Sequence, residues 1–104
     1  MTDRSVPLLP EHIQTLPGAL AWGLERGGGR GYTFHLREEG QVWLSLEDLA
    51  ASAVRRGGAL VAKGIEPGDR VGVLGPNHPN WIGWAFGVWM AGAALVPLPY
   101  PLRV

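Results

Sequence analysis

Histidine is the side chain best suited to hold a metal ion or move a proton near neutral pH, and the sequence has three: His12, His35 and His78. They are far apart along the chain, and each reads as a surface or loop residue rather than a ligand. Cysteine is absent, which removes thiolate chemistry and disulfides together. Glu38 and Glu39 are the obvious carboxylate pair, but adjacent side chains in a polar turn diverge and make a poor acid–base couple. Ser45 lies in no Gly-x-Ser-x-Gly turn and sits where a helix cap is needed instead. Asp69 and Arg70 read as a solvated turn with local pairing. The glycines of "RGGGRG" (26–31) could cradle a phosphate only after a strand and before Lys-Ser/Thr; neither flank is present, so the run reads as a loop. Asn77 is the most suggestive polar residue. It follows a predicted strand's C-terminal end, where open α/β sheets place ligands, although hydrogen-bonding the turn backbone is the simpler role. No catalytic, cofactor-binding or metal-ligating residue is assigned, because no motif here can activate a substrate unaided.

The bulk properties narrow the partners. The chain has 104 residues, enough for one modest core, and its nine basic residues balance nine acidic ones. That balance favours neither nucleic acid nor an anionic membrane. The five tryptophans could stack bases or sugars, but almost no Lys or Arg surrounds the three at residues 81, 84 and 89, so core or domain contacts are expected. The N-terminus has no apolar stretch of the secretory kind, and with zero cysteines a cytoplasmic location is expected.

These residues must be held by elements that the pattern marks out. Residues 1–14 read as an extended lead-in. Thr15 caps a helix that Pro17 can enter and the glycine run ends. "YTFHL" and "VWLSL" flank the polar "REEGQ" as a β-hairpin. Ser45, with Asp48 three residues on, opens a second helix. Leu49, Ala53, Leu60 and Val61 form its apolar pattern, Arg55, Arg56 and Lys63 fall on its polar side and end, and Gly64-Ile65 closes it. "EPGDR" is a turn. "VGVLG" and "ALVPL" read as strands buried on both faces, joined through a helix that starts at Pro79 and stops at Gly92. Strand, helix, strand predicts a right-handed crossover between parallel strands.

Residues 71–102 contain no Asp, Glu, Lys or Arg. The span is long enough to cross a bilayer, but Gly75-Pro76, Pro79, Gly92 and Pro97 cut it into pieces shorter than the ~20 residues a membrane helix requires. No basic cluster marks a flank. A covered α/β core is the better account, and no membrane span is expected.

The order of the pieces carries a resemblance. "LSLEDL" (44–49) resembles the first core motif of the adenylate-forming (AMP-binding) superfamily, Leu-Thr/Ser-Tyr-x-Glu-Leu. About fifteen residues later, "GIEPGDRVGVLGPNHPNWIGWAFGVWMAGAALVPL" is similar to that superfamily's Gly-Asp-Arg-Val strand, Asn-x-Pro-Glu turn and Lys-Ala-Gly-x-x-x-Val-Pro motif. Leu46, Asn80 and Met90 depart from it, standing where Tyr, Glu and Lys are usual. The closing "PYPLR" is similar to the Pro-Ala-Tyr-Pro-Pro of fatty acyl-AMP ligases.

The resemblance implies an α/β fold: the N-terminal part of a large adenylate-forming domain, with a β-hairpin, helices and a βαβ unit of a parallel sheet. Residues 15–104 would be its incomplete beginning. It implies an ATP- and Mg²⁺-dependent ligase that joins a carboxylate, fatty or otherwise acyl, to AMP and passes the acyl group to CoA or an acyl carrier protein. The family's phosphate loop, adenine contacts and C-terminal lysine have no match here, so no cofactor is expected to bind this chain, and the remainder of the ligase would be its partner. The uncharged third would be buried by that remainder; alone, Trp81, Trp84 and Trp89 would face water. Two rivals stay open: a stand-alone interaction domain using the aromatic helix at 80–91, and a membrane-associated protein.

Overall fold

A computed structural model describes residues 10–26 and 29–100; most of the lead-in, the middle of the glycine run and the last four residues lie outside the described residues. What is described of the lead-in turns rather than extends. Ile13 N–H donates to the Pro10 carbonyl at 3.0 Å. Helix α1 (Leu16–Glu25) follows, with the Thr15 hydroxyl accepting from Gly18 N–H at 3.0 Å and Pro17 in the first turn, where a missing N–H costs nothing.

Strands β1 (Gly31–Leu36) and β2 (Gly40–Ser45) pair antiparallel, with Phe34 opposite Val42 and Tyr32 opposite Leu44. Gly40 takes φ 73° where the hairpin turns back, a backbone that favours glycine. Helix α2 (Leu46–Ala62) begins directly after β2. The Ser45 hydroxyl accepts from Asp48 N–H at 3.0 Å, and Glu47 and Asp48 place negative charge at the positive end of the helix. Its far end closes as the Gly64-Ile65 pair predicts: Gly64 has φ 100°, and Ile65 N–H reaches back to the Leu60 carbonyl at 3.0 Å.

Pro67 and Gly68 turn the chain, and the Asp69 carboxylate locks the turn by accepting Glu66 N–H at 2.7 Å. Strand β3 (Arg70–Leu74), helix α3 (Pro79–Met90) and strand β4 (Ala94–Leu98) complete a βαβ unit. The strands run parallel, with Val71 opposite Leu95 and Val73 opposite Pro97. The two sheets, hairpin and parallel pair, are separate. Helix α3 lies between α2 and the parallel pair.

The core joins three helices through Leu20, Leu49, Ala53 and Phe86, with Leu46, Ile82 and Trp89 packed around it. Complete burial of Leu49 stabilises the fold by about 1.5–3 kcal/mol. Helices α2 and α3 come closest at Gly57 and Gly87, where a Cβ on Gly57 would stand 3.0 Å from the Gly87 carbonyl oxygen.

Four expectations are corrected here. Val61 is exposed, because twelve residues from Leu49 is a third of a turn away from the buried stripe. Arg56 faces α3 rather than water, because seven residues from Leu49 is almost two full turns. The parallel strands are covered on one face only within this chain: Val71, Val73 and Leu95 are half-buried beside α3, while Leu74, Val96 and Leu98 are exposed. Of the aromatic residues expected to face water, Trp84 does so, whereas Trp81 and Trp89 are half-buried, Trp89 edge-on to Phe86 with ring centroids 5.1 Å apart.

Candidate functional site

Concave surface gathers where β3 ends and α3 begins, and a separate apolar hollow lies among Leu16, Leu20, Tyr32, Leu46 and Phe86. Gly75 and Pro76 stop the strand, since proline has no N–H to give a ladder. The chain then crosses the top of the parallel pair and enters α3 at Pro79. His78 makes this entry possible. Its Nδ1 accepts Asn80 N–H at 3.0 Å, so His78 is the N-cap of α3 rather than a free loop residue. An imidazole that accepts at Nδ1 while neutral carries its proton on Nε2.

Two clefts share this loop. One, of about 380 Å³, is lined by Val73, Leu74, His78, Asn80, Trp81 and Trp84. The other lies between the loop and the hairpin turn and brings together His35, Glu38, Glu39, Asn77, His78 and Tyr100. Two of the three histidines, the paired glutamates and Asn77 thus meet at one cleft, although their sequence positions gave no sign of it. The structure leaves His12, and Ser45 with its capping role, elsewhere. Asn77 is exposed, and the side chain that bonds the turn backbone is its neighbour His78.

Beside the first cleft stands a cluster not singled out from the sequence. Arg56 donates from Nη1 to the Ser52 hydroxyl and from Nη2 to Asn80 Oδ1 at 3.3 Å, and its guanidinium lies 5.2 Å from the Trp84 ring centroid. Its Nε is buried without a partner among the described residues. Glycines 83 and 87 make the room, since a Cβ on Gly87 would stand 2.8 Å from Arg56 Cβ. The signal was present in the spacing: Ser52 and Arg56 are four apart on one helix, Gly83 and Gly87 four apart on the other, a ridge facing a notch.

This arrangement fixes backbone; it does not suit chemistry. The guanidinium is already committed to Ser52, Asn80 and Trp84, and no group of three or more His, Asp or Glu among the described residues is placed to hold a metal. The first cleft is lined by polar and apolar surface in similar measure, with no Lys or Arg among its lining residues to meet the triphosphate of ATP.

The nature of the chain follows from comparison. The AMP-binding enzyme family matches residues 25–103. Feruloyl-CoA synthases of Amycolatopsis and Streptomyces are each 36% identical over 87 residues, which is 84% of this chain and 18% of theirs. Among solved structures, the fatty acyl-adenylate ligase of L. pneumophila in complex with acyl adenylate and pyrophosphate matches 88% of this chain and 17% of its own, at 30% identity and a TM-score of 0.73. The N-terminal domain of FACL13 from Mycobacterium tuberculosis matches 86% of this chain and 22% of its own, at 26% identity and a TM-score of 0.70. The fold is that of an α/β adenylate-forming enzyme's N-terminal domain. The chain belongs to the AMP-binding enzyme family, and it spans less than a fifth of the length of the feruloyl-CoA synthases it matches.

Proposed function

We propose that this chain is the scaffold portion of an ATP- and Mg²⁺-dependent acid–thiol ligase, which activates an acyl carboxylate as its adenylate and passes it to CoA or a carrier protein in the cytoplasm. Residues 15–104 form the beginning of its adenylate-forming domain, after a lead-in at 1–14. By itself the chain does not catalyse the reaction. The observation that carries this reading is the family match over residues 25–103, set against a first cleft beside which the Arg56 guanidinium is spent on holding α2 to α3. The chain supplies part of the architecture, and the groups that polarise a phosphate or a carboxylate belong to the rest of the ligase.

ATP–pyrophosphate exchange tests this. The isolated chain, offered ATP, Mg²⁺ and a panel of fatty and aryl carboxylates that includes ferulate, is expected to show no exchange above a heat-denatured control. Exchange that depends on one of these acids would overturn the claim of inactivity and place a nucleotide site within these residues.

A further inference from the structure

His78 lines both clefts at the end of β3, and its Nδ1 holds the first turn of α3 by accepting Asn80 N–H at 3.0 Å. A cap of this kind differs from the usual ones. Ser, Thr and Asn keep their acceptor oxygen as pH changes, and Asp keeps its charge down to about pH 4. An imidazole accepts only through a ring nitrogen that carries no proton. It is also the side chain whose charge ordinarily changes between about pH 5 and 8. A proton on Nδ1 turns the acceptor into a donor aimed at Asn80 N–H. It also sets a positive charge against the positive end of the helix dipole, and α3 has no acidic residue in its first turn to offset it.

The charged surroundings of His78 come from the other side of the second cleft. The hairpin presents Glu38 and Glu39 there together with Arg37 and His35, and Tyr100 follows from beyond β4. The loop and α3 add no charge, since residues 71–100 contain no Asp, Glu, Lys or Arg. From α2, the Arg56 guanidinium reaches Asn80 Oδ1 and the Trp84 ring. An imidazolium released from the cap thus shares its cleft with two carboxylates and one guanidinium, and His35 is the one other imidazole there.

We propose that His78 is a proton-operated latch on α3. Neutral, it caps the helix. Protonated, it lets go of Asn80 N–H, and the loop at 75–78 that the two clefts share loosens with the first helical turn. Because the closed turn admits the imidazole only in its neutral form, the latch holds at the alkaline end of the histidine range and opens as pH falls through it.

NMR on the full chain between about pH 8 and pH 5 tests this. At the alkaline end, a long-range proton–nitrogen spectrum should show Nδ1 of His78 bare and Nε2 protonated. Amide hydrogen exchange, corrected for its intrinsic pH dependence, should then show protection at Asn80 and Trp81 falling about fivefold or more toward the acid end, the size of a lost cap. Val88 and Trp89, at the far end of the same helix, should keep theirs. His78→Asp should hold the protection of Asn80 constant over the range, because a carboxylate caps without titrating there. His35→Gln should leave the wild-type change intact. A neutral His78 with its proton on Nδ1 overturns the proposal. So does protection that is flat with pH, a loss spread evenly along α3, or a pH response that survives His78→Asp.

Discussion

The contact between α2 and α3 turns on single atoms. Gly58 and Gly87 are both helical glycines, but a Cβ on Gly58 would meet nothing within 4 Å, whereas one on Gly87 would stand 2.8 Å from Arg56 Cβ and 3.1 Å from Gly57 N. Gly58→Ala is therefore expected to stabilise the chain by about 1 kcal/mol through helix propensity. Gly87→Ala is expected to destabilise it by about 1–3 kcal/mol despite the same propensity gain, since Arg56 Cβ cannot swing away as a side-chain end could. Urea midpoints for the two variants check this, and equal effects would show that the notch is not tight. Asn80 offers a second case. It stands where the resembling motif usually has Glu, and its Oδ1 already receives a guanidinium hydrogen bond. Asn80→Glu should add about 0.5–1 kcal/mol, from the helix N-terminus and from pairing with Arg56 in an exposed setting. A double-mutant cycle with Arg56→Met isolates the pair; a coupling of zero would assign any gain to the helix terminus alone.

At the scale of elements, local rules carried most of the fold into the sequence. Thr15 and Ser45 cap where a side-chain oxygen can reach back three residues, and Gly64 and Gly92 end helices with φ of 100° and 78°. Each such signal is complete within a few residues, which is why it could be read without the rest of the molecule. The histidine cap was hidden because His78 differs from the usual Ser, Thr, Asp and Asn, although its Nδ1 does the same work. Arg56 was misplaced because residue type suggested the polar side while helical phase placed it inward. The cleft that gathers His35, Asn77 and Tyr100 was illegible for a different reason: it depends on how a hairpin and a crossover loop meet, which no local period encodes. The cap can be tested directly. His78→Ala should cost about 1 kcal/mol by leaving Asn80 N–H without its acceptor, and His78→Asp should restore the loss. If Asp fails to restore it, the imidazole contributes by packing in the cleft rather than by capping.

For the whole molecule, the decisive quantity is what a nucleotide does to stability. A ligand that binds only the folded chain raises its stability by RT ln(1 + [L]/Kd), which reaches about 2.7 kcal/mol at a hundredfold excess over Kd. Residues 10–26 and 29–100 offer no free guanidinium in the first cleft, and no cluster of carboxylates or imidazoles fit for Mg²⁺ is found among them. Thermal unfolding of the isolated chain followed by circular dichroism should therefore be unmoved by millimolar ATP and Mg²⁺, with or without a fatty acid. The tryptophans give an independent signal, since Trp81 and Trp84 line the cleft at the end of β3 and would change emission if adenine entered it. A midpoint that rises with ATP concentration, accompanied by quenching, would mean that the scaffold carries a nucleotide site of its own. A flat response in both signals is what a chain devoted to backbone architecture should give, because the cleft that holds Trp81 and Trp84 is shaped by a helix cap, a strand end and aromatic rings and has no Lys or Arg in its lining to hold phosphate.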